Sequence, residues 1–129
     1  MIKKTDEEWL RELTAEQYQI LRKKGTEPPF SGEYLNHKEQ CIYQCAGCGN
    51  DLFDSSSKFD SGTGWPSFSA IFSDNSVEEI RDISFGMLRT EVVCASCKSH
   101  LGHVFEDGPK PSGLRYCINS LSLNHRNKA

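Results

Sequence analysis

The apolar positions of this chain change their spacing at about residue 25. Before it, Trp9, Leu10 and Leu13 form a short helical stripe, and Ile20 and Leu21 continue it on a second segment. Thr5 with Glu8, and Thr14 with Gln17, each spell a capping box, in which two side chains satisfy the orphan N–H groups of a helix start. Two short helices within residues 6–25 are expected. Lys23 and Lys24 suit the C-terminal end of the second helix dipole, and Gly25 suits its cap. Pro28-Pro29 forbids helix and begins an extended segment. Beyond it, apolar residues come in short runs separated by Gly, Pro, Ser or Asp, the pattern of strands. Strands are expected at 42–44, 52–53, 59, 80–85, 88–93, 101–105 and 115–119, with turns at Asp107-Gly108-Pro109 and Pro111-Ser112-Gly113. The fold class is therefore mainly β over about 30–123, with short N-terminal helices. No repeat, low-complexity tract or linker divides the chain, so 1–129 reads as a single domain.

Composition narrows the class. Hydrophobic residues make up 36% of the chain and mean hydropathy is -0.57, a modest core that a structural metal would help to hold. The net charge of -3 shows no basic patch for nucleic acid. No apolar run reaches transmembrane length, and the start, Met1-Ile2-Lys3-Lys4-Thr5-Asp6-Glu7-Glu8, turns acidic without the apolar stretch of a signal peptide. A cytoplasmic location and no membrane partner are the expectations.

Four of the six cysteines fall in two pairs, Cys45-Ala46-Gly47-Cys48 and Cys94-Ala95-Ser96-Cys97. A Cys-x-x-Cys turn offers two thiolates from one tight knuckle, and two knuckles complete the tetrahedral shell that zinc prefers. Gly47 and Gly49 supply backbone freedom at the first knuckle. A four-sulfur shell is closed to substrate, so one structural zinc is expected. One such pair alone could equally be a redox motif or reduced core cysteines; two pairs in one small chain favour zinc. Residues 49–93 separate the knuckles, far more than the roughly 15–20 of an ordinary ribbon. The metal would tie distant parts of the fold together and leave the insert free to carry function. Zinc-deaminase signatures do not fit: no His-x-Glu is present, and neither knuckle follows a proline.

Cys117 stands apart, in Arg115-Tyr116-Cys117-Ile118-Asn119. On a strand, Arg115, Cys117 and Asn119 share one face. A cation beside a thiol lowers its pKa and favours the nucleophilic thiolate; a free cysteine is also commonly a small buried hydrophobe. His100 and His103 lie in His100-Leu101-Gly102-His103-Val104-Phe105. A regular strand would send them to opposite faces, and Gly102 could break that regularity and bring them together as proton donors. Ser61-Gly62-Thr63-Gly64-Trp65-Pro66-Ser67-Phe68 is a shaped loop presenting Trp65 and Phe68, either as a pocket for a methyl or thioether group or as ordinary core.

Together these segments resemble the B-type methionine-R-sulfoxide reductases. The resemblance rests on Gly25-Thr26-Glu27-Pro28-Pro29-Phe30, residues 61–68, residues 100–105, Asp107-Gly108-Pro109, residues 115–120 and the two knuckles, and runs from about residue 6 to about 123. It implies two small antiparallel sheets with short N-terminal helices. It also implies reduction of the R epimer of methionine sulfoxide, free or in proteins, as a repair of oxidised methionine. By the same resemblance Cys117 is the nucleophile, left as a sulfenic acid, and Trp65 holds the substrate methyl group. His100, His103, Asp107, Arg115 and Asn119 surround the reacting centre, with His103 the first choice as proton donor. Thioredoxin or another thiol is the implied reductant, and a monomer is expected. Many family members carry a resolving cysteine where this chain has Thr63. Threonine forms no disulfide, so either Cys41 resolves the sulfenic acid or an external thiol reduces it directly. Two other classes compete: a non-catalytic zinc-ribbon binding module, and a Cys-x-x-Cys disulfide oxidoreductase without zinc. His37 and His125 fit none of these motifs.

Overall fold

Two capping boxes start two helices. The computed structural model, which describes residues 4–83 and 86–128, places α1 at Asp6–Glu12 and α2 at Ala15–Leu21. Thr5 and Glu8 cap the first reciprocally, as Thr14 and Gln17 cap the second. Such caps contribute about 1 kcal/mol each, which matters for helices this short. Trp9 and Leu13 are buried as the stripe requires, but Leu10 is exposed: each helix is only two turns long and covers the body with a single row. The second helix ends at Leu21 with Arg22 as its cap, three residues short of Gly25. Lys24 takes the left-handed conformation (φ 58°), while the Gly25 N–H reaches back to the Gln19 carbonyl at 2.9 Å. Pro28-Pro29 leads into a turn rather than an extended run. Ser31 N–H bonds the Pro28 carbonyl at 3.3 Å, and Phe30 adopts φ 65°.

The rest is β structure in two antiparallel sheets. Strands β1 (Cys41–Cys45), β2 (Asp51–Asp54) and β9 (Leu123–Asn127) form the smaller, in the order β2-β1-β9. The larger has six strands: β3 (Lys58–Phe59), β4 (Ser67–Phe68), β5 (Val77–Asp82), β6 (Arg89–Cys94), β7 (His100–Phe105) and β8 (Arg115–Ile118). Their order is β3-β4-β8-β7-β6-β5. Two strands were not expected, β4 inside the 61–68 loop and β9, which carries the β body on to Asn127. The strand expected at 80–85 begins earlier and ends at Asp82; Phe85, its expected end, lies outside the described residues.

The sheets meet on aromatic side chains. Phe53 of the small sheet stacks on Phe68 of the large one, with ring centres 4.3 Å apart. Tyr43 and Tyr116 close around the pair at 5.2 and 5.8 Å. Each such buried ring stabilises the fold by roughly 2–3 kcal/mol. The helices pack at the knuckle end. Trp9 lies under Gly47, where an added Cβ would sit 3.1 Å from its ring, and the Arg22 guanidinium lies over the same ring at 4.6 Å. Arg22 also donates to the Cys97 carbonyl at 2.9 Å.

Candidate active site and metal centre

The knuckles sit at strand ends, one on each sheet. β1 ends at Cys45 and β6 at Cys94, and each chain then turns back on itself. Gly49 N–H bonds the Cys45 carbonyl and Lys98 N–H bonds the Cys94 carbonyl, both at 2.8 Å. Gly49 (φ 81°) and Lys98 (φ 63°) take the same left-handed step, so the two turns repeat one geometry. Gly47, by contrast, serves packing against Trp9. The turns bring the four sulfurs within 4.8 Å of one another, with Cys45–Cys97 at 3.7 Å and Cys48–Cys94 at 3.6 Å. A metal–sulfur bond of about 2.3 Å sets tetrahedral sulfur–sulfur edges of about 3.8 Å. The tetrad therefore fits one tetrahedral ion, and that ion would bond the small sheet to the large one.

The second site is written across the large sheet. In the register Ile80↔Glu91, Glu91↔His103, His103↔Cys117 and Cys117↔Ser67, directly opposed residues share a face. Arg89, Phe105 and Arg115 lie on that face two residues along. His100 joins it through a bulge: His100 to His103 on β7 spans only Val93 to Glu91 on β6. A phase break is present as expected, but it falls on Leu101 and not on Gly102, which pairs regularly with Val92; the two imidazole rings lie 5.6 Å apart. Gly102 is also where β7 crosses closest to the reactive strand. An added Cβ would sit 1.9 Å from the Cys117 carbonyl oxygen.

Around Cys117 is a pocket of about 250 Å³, lined among others by Thr26, Thr63, Trp65, Arg89, His103 and Arg115. It is smaller than the roughly 300–1,000 Å³ of drug-sized sites and suits one side chain. Arg115 lies on the same face of β8 as Cys117, lines the pocket with it, and rests on the Phe105 ring at 4.5 Å. Its guanidinium is held by both oxygens of Asp107, at 2.8 and 3.1 Å, which keeps the Asp107 carboxyl below the usual range. Thr63 also lines the pocket, and its hydroxyl is linked through Ser61 to Ser67. Arg115 and Thr63 pull the thiol pKa down as a cation and a donor should. Burial outweighs both, with Glu27 adding to it, so the Cys117 thiol stands above the ordinary value rather than below it.

The two histidines have different surroundings. His103 Nε2 is 2.8 Å from Asp82, which also meets Arg89 at 3.4 Å. His100 is buried outside the pocket, with Nδ1 2.8 Å from Glu91. Burial lowers its pKa, although Glu91 pushes it up. Asn119 reaches the pocket but has both ends engaged. Its oxygen accepts from Glu27 N–H at 3.0 Å, and its nitrogen donates to the Leu101 carbonyl at 3.1 Å. The Trp65 indole N–H donates to the Glu27 carbonyl at 3.0 Å, and a Glu27 side-chain oxygen accepts from Leu121 N–H at 3.0 Å. Glu27 thus staples the aromatic loop to the turn after β8.

Besides His100, three expected site residues fall elsewhere. Phe68 is core, because adjacent residues of β4 point to opposite faces and Ser67 takes the one beside Cys117. Asp107 is at the exposed rim and acts through Arg115. Cys41 lies in the small sheet, fully buried, its thiol against the Tyr43 hydroxyl rather than in the Cys117 pocket. Asp82, Glu91, Arg89 and Glu27 were missed. Their partners are set by register and by a bulge, and a lone acidic residue in a strand carries no signal of either.

Fold and site define a two-sheet β protein with a four-thiol knuckle and a single thiol set in a pocket sized for one side chain. Residues 13–127 match the SelR domain. The chain is similar to proteins named peptide methionine sulfoxide reductase MsrB in several organisms. That of Methanosarcina barkeri is 58% identical over 125 residues, covering 97% of this chain and 88% of the relative. That of Bradyrhizobium diazoefficiens is 60% identical over 120 residues, covering 93% and 86%. That of Acinetobacter baumannii is 56% identical over 122 residues, covering 95% and 88%. The chain belongs to this SelR-domain family of B-type methionine sulfoxide reductases, a family of oxidoreductases.

Proposed function

We propose that the protein reduces methionine-R-sulfoxide, free or within proteins, through Cys117. The observation that carries this reading is the cross-strand setting of Cys117 between Arg115, Thr63 and His103, beneath Trp65. The substrate methyl and thioether rest on the Trp65 face. Substrate binding in the pocket and Arg115 favour loss of the Cys117 proton, and the thiolate attacks the sulfoxide sulfur. The sulfoxide oxygen leaves sulfur for Cys117 as it gains a proton. His103 is the donor: Asp82 holds its Nε2 and stabilises the charged ring, leaving Nδ1 for proton exchange. Methionine departs and Cys117 becomes a sulfenic acid. One thiol then condenses with it, releasing water and forming a mixed disulfide, and a second thiol restores Cys117. The balance is two thiols and one sulfoxide to one disulfide, methionine and water.

An external thiol, of the thioredoxin kind, supplies both reducing equivalents. Thr63 occupies the place a resolving thiol would need, and Cys41 is buried against Tyr43. The ion of the tetrad is zinc; its closed sulfur shell leaves no position for substrate, so it acts on the fold. The reducing cytoplasm suits a protein with six free cysteines. Among the described residues no helix is long and apolar enough to cross a membrane.

Turnover of separated R and S sulfoxides by the wild-type, Cys41→Ser and Cys117→Ser proteins tests the reading. Activity on R alone, kept in Cys41→Ser and lost in Cys117→Ser, is expected. After one equivalent of substrate without reductant, mass spectrometry should find a trappable sulfenic acid on Cys117 with Cys41 still free. Activity on S alone, or full activity in Cys117→Ser, sinks the assignment.

A further inference from the structure

The two histidines that fit no motif meet on the small sheet. His125 lies on β9 directly opposite Tyr43 of β1, and His37 comes from the turn before β1. Their rings are 4.9 Å apart. Each is held by its Nδ1 on a buried tyrosine: His37 at 2.7 Å from the Tyr43 hydroxyl, His125 at 3.0 Å from that of Tyr34. A hydroxyl that accepts Nδ1–H fixes the tautomer and leaves Nε2 with a free lone pair, the arrangement that orients an imidazole toward a metal. Glu39 brings a carboxylate oxygen to 3.7 Å from His37 Nε2. One ligand atom from each of His37, Glu39 and His125 lies within 4.8 Å of the other two. Ligand bonds of about 2.0–2.2 Å need tetrahedral separations of about 3.3–3.6 Å, within reach of a rotamer adjustment by the exposed Glu39 and His125. His37 and Glu39 are neighbours in sequence, and the β1–β9 register brings His125 to them.

We propose that His37, His125 and Glu39 form a second metal site, of the two-histidine, one-carboxylate class, for a divalent transition ion such as zinc. It is independent of the cysteine tetrad. Three protein ligands and an exposed face leave a fourth position for water. Lys38, Lys58 and Lys128 line the adjoining hollow, although Lys128 is engaged by Asp54 at 2.7 Å. Their charge keeps the affinity modest, and micromolar binding is expected.

The test uses the folded protein with its tetrad loaded and excess metal dialysed away. Calorimetric titration with zinc chloride should show one further equivalent bound in the micromolar range. Histidine side-chain ¹⁵N spectra should show Nε2 of His37 and His125 shifting as ligands, with His100 and His103 unmoved. His125→Ala and Glu39→Gln, both at exposed positions, should each weaken the second equivalent by about tenfold or more. Absence of a second equivalent overturns the proposal. So does undiminished binding in either variant, or a zinc-dependent shift confined to His100 and His103.

Discussion

The tetrad and the Cys117 pocket place the same functional group in opposite settings, and the backbone decides which. The tetrad thiols sit on or beside turns, where two matching left-handed steps at Gly49 and Lys98 fold four sulfurs together. Cys117 sits mid-sheet, where alternation isolates its sulfur from every other thiol and faces it with a cation, a hydroxyl and an imidazole. On the proposed reading, pooled thiols make a metal cross-link between the sheets and the solitary, half-buried one is the reagent; burial raises its pKa, against the pull of Arg115 and Thr63.

The sharpest way to break this contrast is to exchange Cys for Ser on each side. Cys45→Ser removes one of the proposed metal's ligands, and a structural zinc contributes on the order of 10 kcal/mol to folding, comparable with the about 5–15 kcal/mol total of a domain. Loss of the near-UV circular dichroism and of the cooperative melt is expected, and chelation of the wild type should do the same. Cys117→Ser should keep both signals and the metal while losing turnover.

Asp82→Asn should leave the metal bound and reduce kcat on the order of 10²-fold, because the His103 ring loses the carboxylate that stabilises its charged form. A fall in KM alone would place Asp82 outside proton transfer. Gly102→Ala forces a methyl against the Cys117 carbonyl and should cost about 1–3 kcal/mol, seen as a melting point lower by several degrees, together with reduced kcat/KM. The smallest effect is electrostatic. Alkylation of Cys117 needs the thiolate, and the folded thiol titrates above its ordinary range, so labelling should be slow at neutral pH and accelerate as pH rises through that value. Arg115→Met removes the main charge opposing burial and should move the midpoint up. A midpoint that moves down would mean that Arg115 does not stabilise the thiolate.

What could be read in the sequence was local. Both capping boxes formed between the residues that spell them, and the knuckles closed as their spacing implied. A phase break between His100 and His103 could be anticipated because only an irregular strand puts them side by side, although it falls on Leu101 and not on the glycine. What escaped was relational. The β9 strand, Leu123-Asn124-His125-Arg126-Asn127, buries only its leucine and shows no apolar alternation, so nothing in it announces pairing with β1. Ser67-Phe68 is too short to have a period, yet its register decides that Phe68 is core and that Ser67 faces the thiol. Asp82 and Glu91 acquire meaning only from the histidines opposite them.

The place of β8 in the large sheet has a bearing on chains that end early. It is inserted between β4 and β7, both earlier in the sequence, and β1 likewise waits for β9. A chain interrupted before residue 115 would lose Cys117, the proposed nucleophile, and also leave β4, β7 and β1 each with an unpaired edge. Bare edges recruit other chains. Nonsense or proteolytic products of this kind should therefore accumulate as aggregates, while the complete chain has those edges occupied by its own last strands.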